Sequence, residues 1–176
     1  MISLEQELLA RRVVFITGRI DGALASRVAA ELMTLDAMDS TPIHVYVDST
    51  EGTLDAALAL MDTIGLVHSP LYTQALGSVS GGAVGVLAVG SRRSAAPHAL
   101  IRLTEPPAEL TGSSGSLESQ LEQQRRLIDS YRSQLSQATG RPQDEIAEDL
   151  RQGRDLDAQE AVTYGLIDTI AAQGHR

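Results

Sequence analysis

Residues 12–48, RVVFITGRIDGALASRVAAELMTLDAMDSTPIHVYVD, decide the fold class. RVVFITG, residues 12–18, is a short β-branched run closed by glycine, and PIHVYVD, residues 42–48, alternates and ends in turn chemistry, so both predict strands. Between them Leu24, Val28, Leu32 and Leu35 recur at helical spacing and predict an amphipathic helix. Strand, helix and strand in this order predict α/β layering with largely parallel strands.

The pattern continues outward. After the turn DSTEG, residues 53–65 predict a helix, 71–76 a strand, 82–89 a buried helix and 99–103 a strand. Residues 105–116 are rich in Pro, Gly and Ser and predict a mobile loop. Ser116 is expected to cap a long helix over 116–139, with Leu117, Leu121, Ile128, Tyr131 and Leu135 on one stripe. At ~1.5 Å per residue such a helix exceeds what one small domain needs to cover itself, so a partner surface is expected to take the excess. Gly140 stops it, Pro142 starts a short helix, Asp157 and Glu160 form a capping-box start, and LIDTI closes as a strand. No internal repeat or linker divides the chain, and residues 1–176 are expected to form one domain.

Composition narrows function. The 176 residues contain no cysteine and no lysine. Disulfides, thiolate metal sites, a cysteine nucleophile, Schiff-base chemistry and a serine–lysine dyad are thereby excluded. His44, His68, His98 and His175 do not cluster at ligand spacings, so neither a metal nor a cofactor is expected. A net charge of −9 without a basic cluster argues against nucleic acid. No stretch approaches the ~18 apolar residues of a membrane span, and the N-terminus lacks the pattern of a secretory signal. A cytoplasmic protein is expected.

ALGSVSGGAVGVLAVG, residues 75–90, is where chemistry would concentrate. Gly82 is followed by Ala83 and Val84 rather than Lys and Ser or Thr, which excludes a P-loop. The glycines lack dinucleotide-fingerprint spacing, and Ser80 has Gly82 at +2 but Ser78 at −2, so the G-x-S-x-G elbow fails as well. Small residues that let a helix pack closely on a sheet and a functional serine both remain open.

LLARRVVFITGRID, HVYVDSTEGTLDAALALMDTI, the 75–90 stretch, APHALIRLTEPP, QATGRPQDEI and LDAQEAVTYGLIDTI together resemble, in family order, the proteolytic subunits of the Clp protease (ClpP). The resemblance implies the crotonase-like fold, with repeated β-β-α and βαβ units and a protruding handle helix over about 116–139. It also implies a Ser-His-Asp triad, and an ungapped match puts Gly81 at the nucleophile, Thr104 at the histidine and Gly153 at the acid. Ser80, one residue early, is the fallback nucleophile. Gly52 and Gly82 fall at the oxyanion-hole positions, with Glu51 placing an acidic side chain beside them. Leu121, Ile128, Tyr131 and Leu135 are assigned to contact between rings.

Three residues that act as a unit are missing together, so the expected function is a catalytically inactive subunit that keeps its assembly surfaces. Its partners would be copies of itself, in a heptameric ring or stacked rings, or an active paralogue. A Clp ATPase is a further partner the family brings, weakened here because the chain starts almost at the first family helix. Two other readings stay open: a divergent Clp-type serine peptidase using Ser80, and a stand-alone crotonase-like binding protein using the emptied pocket.

Overall fold

A computed structural model describes residues 4–107 and 114–172. Seven strands form one sheet, β1 (Val13–Thr17), β2 (Ile43–Ser49), β3 (Leu71–Ser80), β4 (Arg92–Ala95), β5 (Leu100–Leu103), β6 (Arg154–Leu156) and β7 (Thr169–Ile170). The helices are α1 (Leu4–Ala10), α2 (Gly22–Met38), α3 (Leu54–Leu66), α4 (Gly82–Ala88), α5 (Ser114–Thr139), α6 (Gln143–Gln152) and α7 (Ala158–Tyr164). β1, β2, β3, β4 and β7 lie side by side and parallel. The α/β reading of the opening segment holds, and Val28, Leu32 and Leu35 of α2 are buried in the core it predicts.

β3 is the pivot of the sheet. Its first part, Tyr72 to Ala75, pairs with β4, and its last part, Ser78 to Ser80, pairs with β5. Between them Gly77 takes φ +50, and a Cβ there would stand 2.8 Å from Oδ1 of Asp48. The same carboxylate accepts the Ser78 N–H at 3.1 Å. A strand ending at residue 76 is therefore a correction: the glycine that reads as a stop is a kink within a longer strand. β5 then pairs antiparallel with β6.

Two short strands, β4 and β6, escape the periodicity because their sequences, RRSA and RDL, are polar. Arg93 of β4 is tied down from several sides. It donates to the carbonyls of Ala138 and Gly165, both at 2.9 Å, and pairs with Asp168 at 2.6 Å. Hydrogen bonds from Arg93 hold the Asp168 carboxyl below the ordinary range. The capping box at α7 forms as predicted, with Asp157 accepting from the Glu160 N–H and Glu160 from the Asp157 N–H.

The long helix starts at Ser114 rather than 116 and has 26 residues, or about 39 Å at 1.5 Å per residue. The expected cap side chain, Ser116, and residues 108–113 of the expected loop lie outside the described residues. Tyr131 and Leu135 are corrected: they are 1% and 0% exposed within this chain's own core, so neither is available to a partner. The reason is close packing on α4. A Cβ at Gly85 would stand 2.5 Å from Cε2 of Tyr131, so only glycine leaves room for the ring. Ile128 packs against the same core part-buried, while Leu121 is 43% exposed.

Candidate functional site

The site lies where β3 ends and α4 begins, at the carboxyl edge of the parallel strands, the usual place for ligands in open α/β sheets. Gly81 forms the turn with φ 59 and ψ −132. This is the sharp strand-to-helix geometry in which nucleophile elbows hold a serine. A Cβ at Gly81 meets no atom of the described residues within 4 Å, so a side chain there would project into open space. The Gly81 carbonyl accepts from the buried Tyr131 hydroxyl at 2.7 Å and from the Val84 N–H at 3.2 Å. Burial pushes that phenol well above its ordinary pKa, so it stays a donor.

Strand pairing gathers the other inferred positions. Ser80 is opposite Arg102 in the parallel β3–β5 ladder. In the antiparallel β5–β6 ladder Leu103 opposite Arg154 is the last pair, so Thr104 leaves β5 where Gly153 enters β6. Gly81 follows β3, Thr104 follows β5 and Gly153 precedes β6, so the three lie next to strand ends at one corner of the sheet. Gly153 ends α6 with φ 77, and its N–H donates to the Asp149 carbonyl at 3.0 Å.

The glycines at 52 and 82 have packing reasons of their own. A Cβ at Gly82 would stand 2.5 Å from Cβ of Ala57, where α4 presses on α3. A Cβ at Gly52, with φ +154, would stand 2.5 Å from the Ile20 carbonyl oxygen. Glu51, beside it, is exposed and holds the Ile20 N–H with its carbonyl at 2.9 Å.

Ser80 ends β3, one residue before the turn at Gly81. Its hydroxyl donates to the Thr50 carbonyl at 3.1 Å, and its side chain belongs to the regular strand rather than the turn. His44 faces Tyr72, at the opposite end of β3. His98 is exposed in the turn that enters β5, while Thr104 follows the other end of that strand. His175 lies outside the described residues.

Elsewhere, Asp36, His68 and Ser69 do come together. The Asp36 carboxylate accepts from the Ser69 hydroxyl at 2.8 Å and lies 3.4 Å from Nδ1 of His68. The hydroxyl meets the carboxylate rather than the imidazole, the reverse of the order in which base activates nucleophile. This cluster pins the end of α2 to the end of α3.

The acids near Gly153 are engaged. Asp149 accepts from the Tyr164 hydroxyl at 2.7 Å and pairs with Arg154 at 3.2 Å. Burial and this neighbouring carboxylate push the Tyr164 phenol up. Asp155 pairs with Arg102 at 3.5 Å, and Glu105 with Arg132. A cavity of about 260 Å³ lies between the start of α3 and the flank of α5, lined by Thr53, Leu54, Pro107, Gln123, Gln124 and Leu127. Its glutamines went unnoticed in the sequence because they lie on the polar flank of α5, where periodicity predicts only solvent.

A parallel sheet with an antiparallel flap at the carboxyl edge, and a long helix braced on its elbow, fits the crotonase-like α/β fold. The family model described as Clp protease matches residues 1–174. ATP-dependent Clp protease proteolytic subunit 1 of Mycobacterium bovis is 31% identical over 176 aligned positions, covering 98% of this chain and 88% of the relative. The protein of the same name from Mycobacterium tuberculosis gives the same identity and coverage. The chain belongs to the Clp protease family, as a relative of its proteolytic subunits. Among the described residues, no helix is long and apolar enough to cross a membrane.

Proposed function

We propose that this chain is a catalytically silent Clp-type subunit that contributes structure or regulation to a ring assembly, alone or beside an active paralogue. The observation that carries this reading is the elbow. Its sharp turn and open side-chain space are kept, yet the residue in it is Gly81, and Thr104 and Gly153 flank the paired ends of the neighbouring strands β5 and β6. Glycine supplies no nucleophile. A threonine hydroxyl is no general base at neutral pH, and a glycine cannot orient an imidazole. Glu51 adds a negative charge near the place where an oxyanion would form, which opposes the reaction.

Assembly follows from membership in the family and from the exposed end of α5, where Leu121 awaits cover. A heptameric ring or stacked rings is the form proposed, with a Clp ATPase as a further partner. The purified protein is expected to leave small peptide esters and amides intact, alone and with a Clp ATPase. Turnover that Ser80→Ala abolishes would overturn the reading in favour of a divergent serine peptidase. Native mass of the protein, alone and mixed with an active paralogue, separates a subunit from a stand-alone binding protein.

A further inference from the structure

Loss of the acid by deletion alone would leave its place vacant, and a cation stands there instead. In the antiparallel β5–β6 pair Arg102 is directly opposite Asp155. Gly153 immediately precedes β6, two residues before Asp155, and the space its side chain would take lies against Arg102. A Cβ at Gly153 would stand 3.1 Å from Nη2 of Arg102 and 3.7 Å from its Nε. The guanidinium pairs with Asp155 at 3.5 Å through Nη1, which leaves Nη2 and Nε turned toward position 153. The other charges around this corner are already committed, Asp149 to Arg154 and Tyr164, and Glu105 to Arg132.

We propose that Arg102 holds the acid position with inverted charge, so that a carboxylate placed at 153 is captured by the guanidinium and cannot orient an imidazole at 104. The proposal rests on reading Gly81, Thr104 and Gly153 as the triad positions. The chemistry is competitive. An imidazole offers a carboxylate one N–H, whereas a guanidinium offers a planar fork of donors that stays charged at every accessible pH. The fork also repels an imidazolium, the form a triad base takes in the transition state. Arg102 is thus a positioning residue acting against catalysis. The triad cannot be rebuilt by restoring its three members alone.

The test compares Gly81→Ser/Thr104→His/Gly153→Asp with the same full-length chain carrying Arg102→Gln as well. The introduced imidazole is titrated by NMR, and the introduced serine is labelled with a fluorophosphonate. With Arg102→Gln the imidazole is expected to titrate about one unit higher and labelling to run about tenfold faster, the change that one unit represents. Equal titration and equal labelling in the two variants overturn the proposal.

If the multiple variants fail to fold, Gly153→Asp alone is compared with Gly153→Asp/Arg102→Gln. The new carboxyl is expected to titrate below its ordinary value of ~3.9 in the first and to return toward it in the second; no difference overturns the proposal. Turnover by the unmodified protein would remove the silent-subunit reading without touching these comparisons, since each pair differs only at position 102.

Discussion

Tyr131 and Leu121 lie on the same helix, yet Tyr131 is 1% exposed and Leu121 is 43% exposed. The C-terminal half of α5 is a core helix in all but length, with Tyr131 under the elbow and Leu135 sealed behind it. Its N-terminal half keeps apolar side chains without an equivalent cover. Periodicity identifies which residues share a face, but the identity of the covering surface comes from elsewhere, here from a glycine in α4. A stripe that continues past its own core is the part open to a partner.

The contrast breaks most readily at its buried end. Leu135→Ala is expected to cost about 2–5 kcal/mol, because a wholly buried leucine leaves a cavity. Urea unfolding at fixed protein concentration measures it, and a loss under ~1 kcal/mol would mean that the C-terminal half is not core. Next in size, Gly85→Ala drives a methyl to 2.5 Å from the Tyr131 ring and 2.6 Å from Sδ of Met61. Overpacking of this kind costs about 1–3 kcal/mol, and the same unfolding curves report it.

At the exposed end, Leu121→Glu should change subunit stability by less than ~0.5 kcal/mol. If another copy covers this half, the native mass should nevertheless fall. An unchanged mass for Leu121→Glu combined with Ile128→Glu would return the helix tip to solvent.

The smallest effect sharpens the comparison at a region held by polar contacts rather than by packing. Hydrogen bonds from Ser69 and His68 hold the Asp36 carboxyl well below its ordinary value. A folded-state pKa depressed below the unfolded value gives stability that is present above the unfolded value, ~3.9, and lost as pH falls through the folded one. Acid unfolding below about pH 4 should therefore be shallower in Asp36→Asn than in wild type. Parallel acid limbs would show that these contacts do not depend on charge.

Much of the fold was legible. The β1–α2–β2 unit rests on local alternation and helical spacing, and the α7 capping box on two residues three apart, so neither needs the tertiary structure. What escaped depends on neighbours distant in sequence. β4 and β6 exist because β3 and β5 pair with them, not because RRSA or RDL favours a strand. Tyr131 was assigned to the wrong surface because Gly85, which admits its ring, is far from it in the chain. The strand pairing was needed to bring Thr104 and Gly153 to adjoining strand ends, and it also exposed Arg102, which looks like any outward-facing charge on a short strand.

The elbow at Gly81 has a consequence for the evolution of such a subunit. With φ 59 and ψ −132, a residue bearing a Cβ would be held in a sparsely populated region at a cost of order 1–3 kcal/mol. An active enzyme carries that cost for reactivity, and glycine removes it. On the silent-subunit reading proposed above, glycine at this position is in this sense a stabilising substitution, the reverse side of the trade between activity and stability. On that same reading, marginal stability alone would keep glycine at this position and set a barrier against reversion.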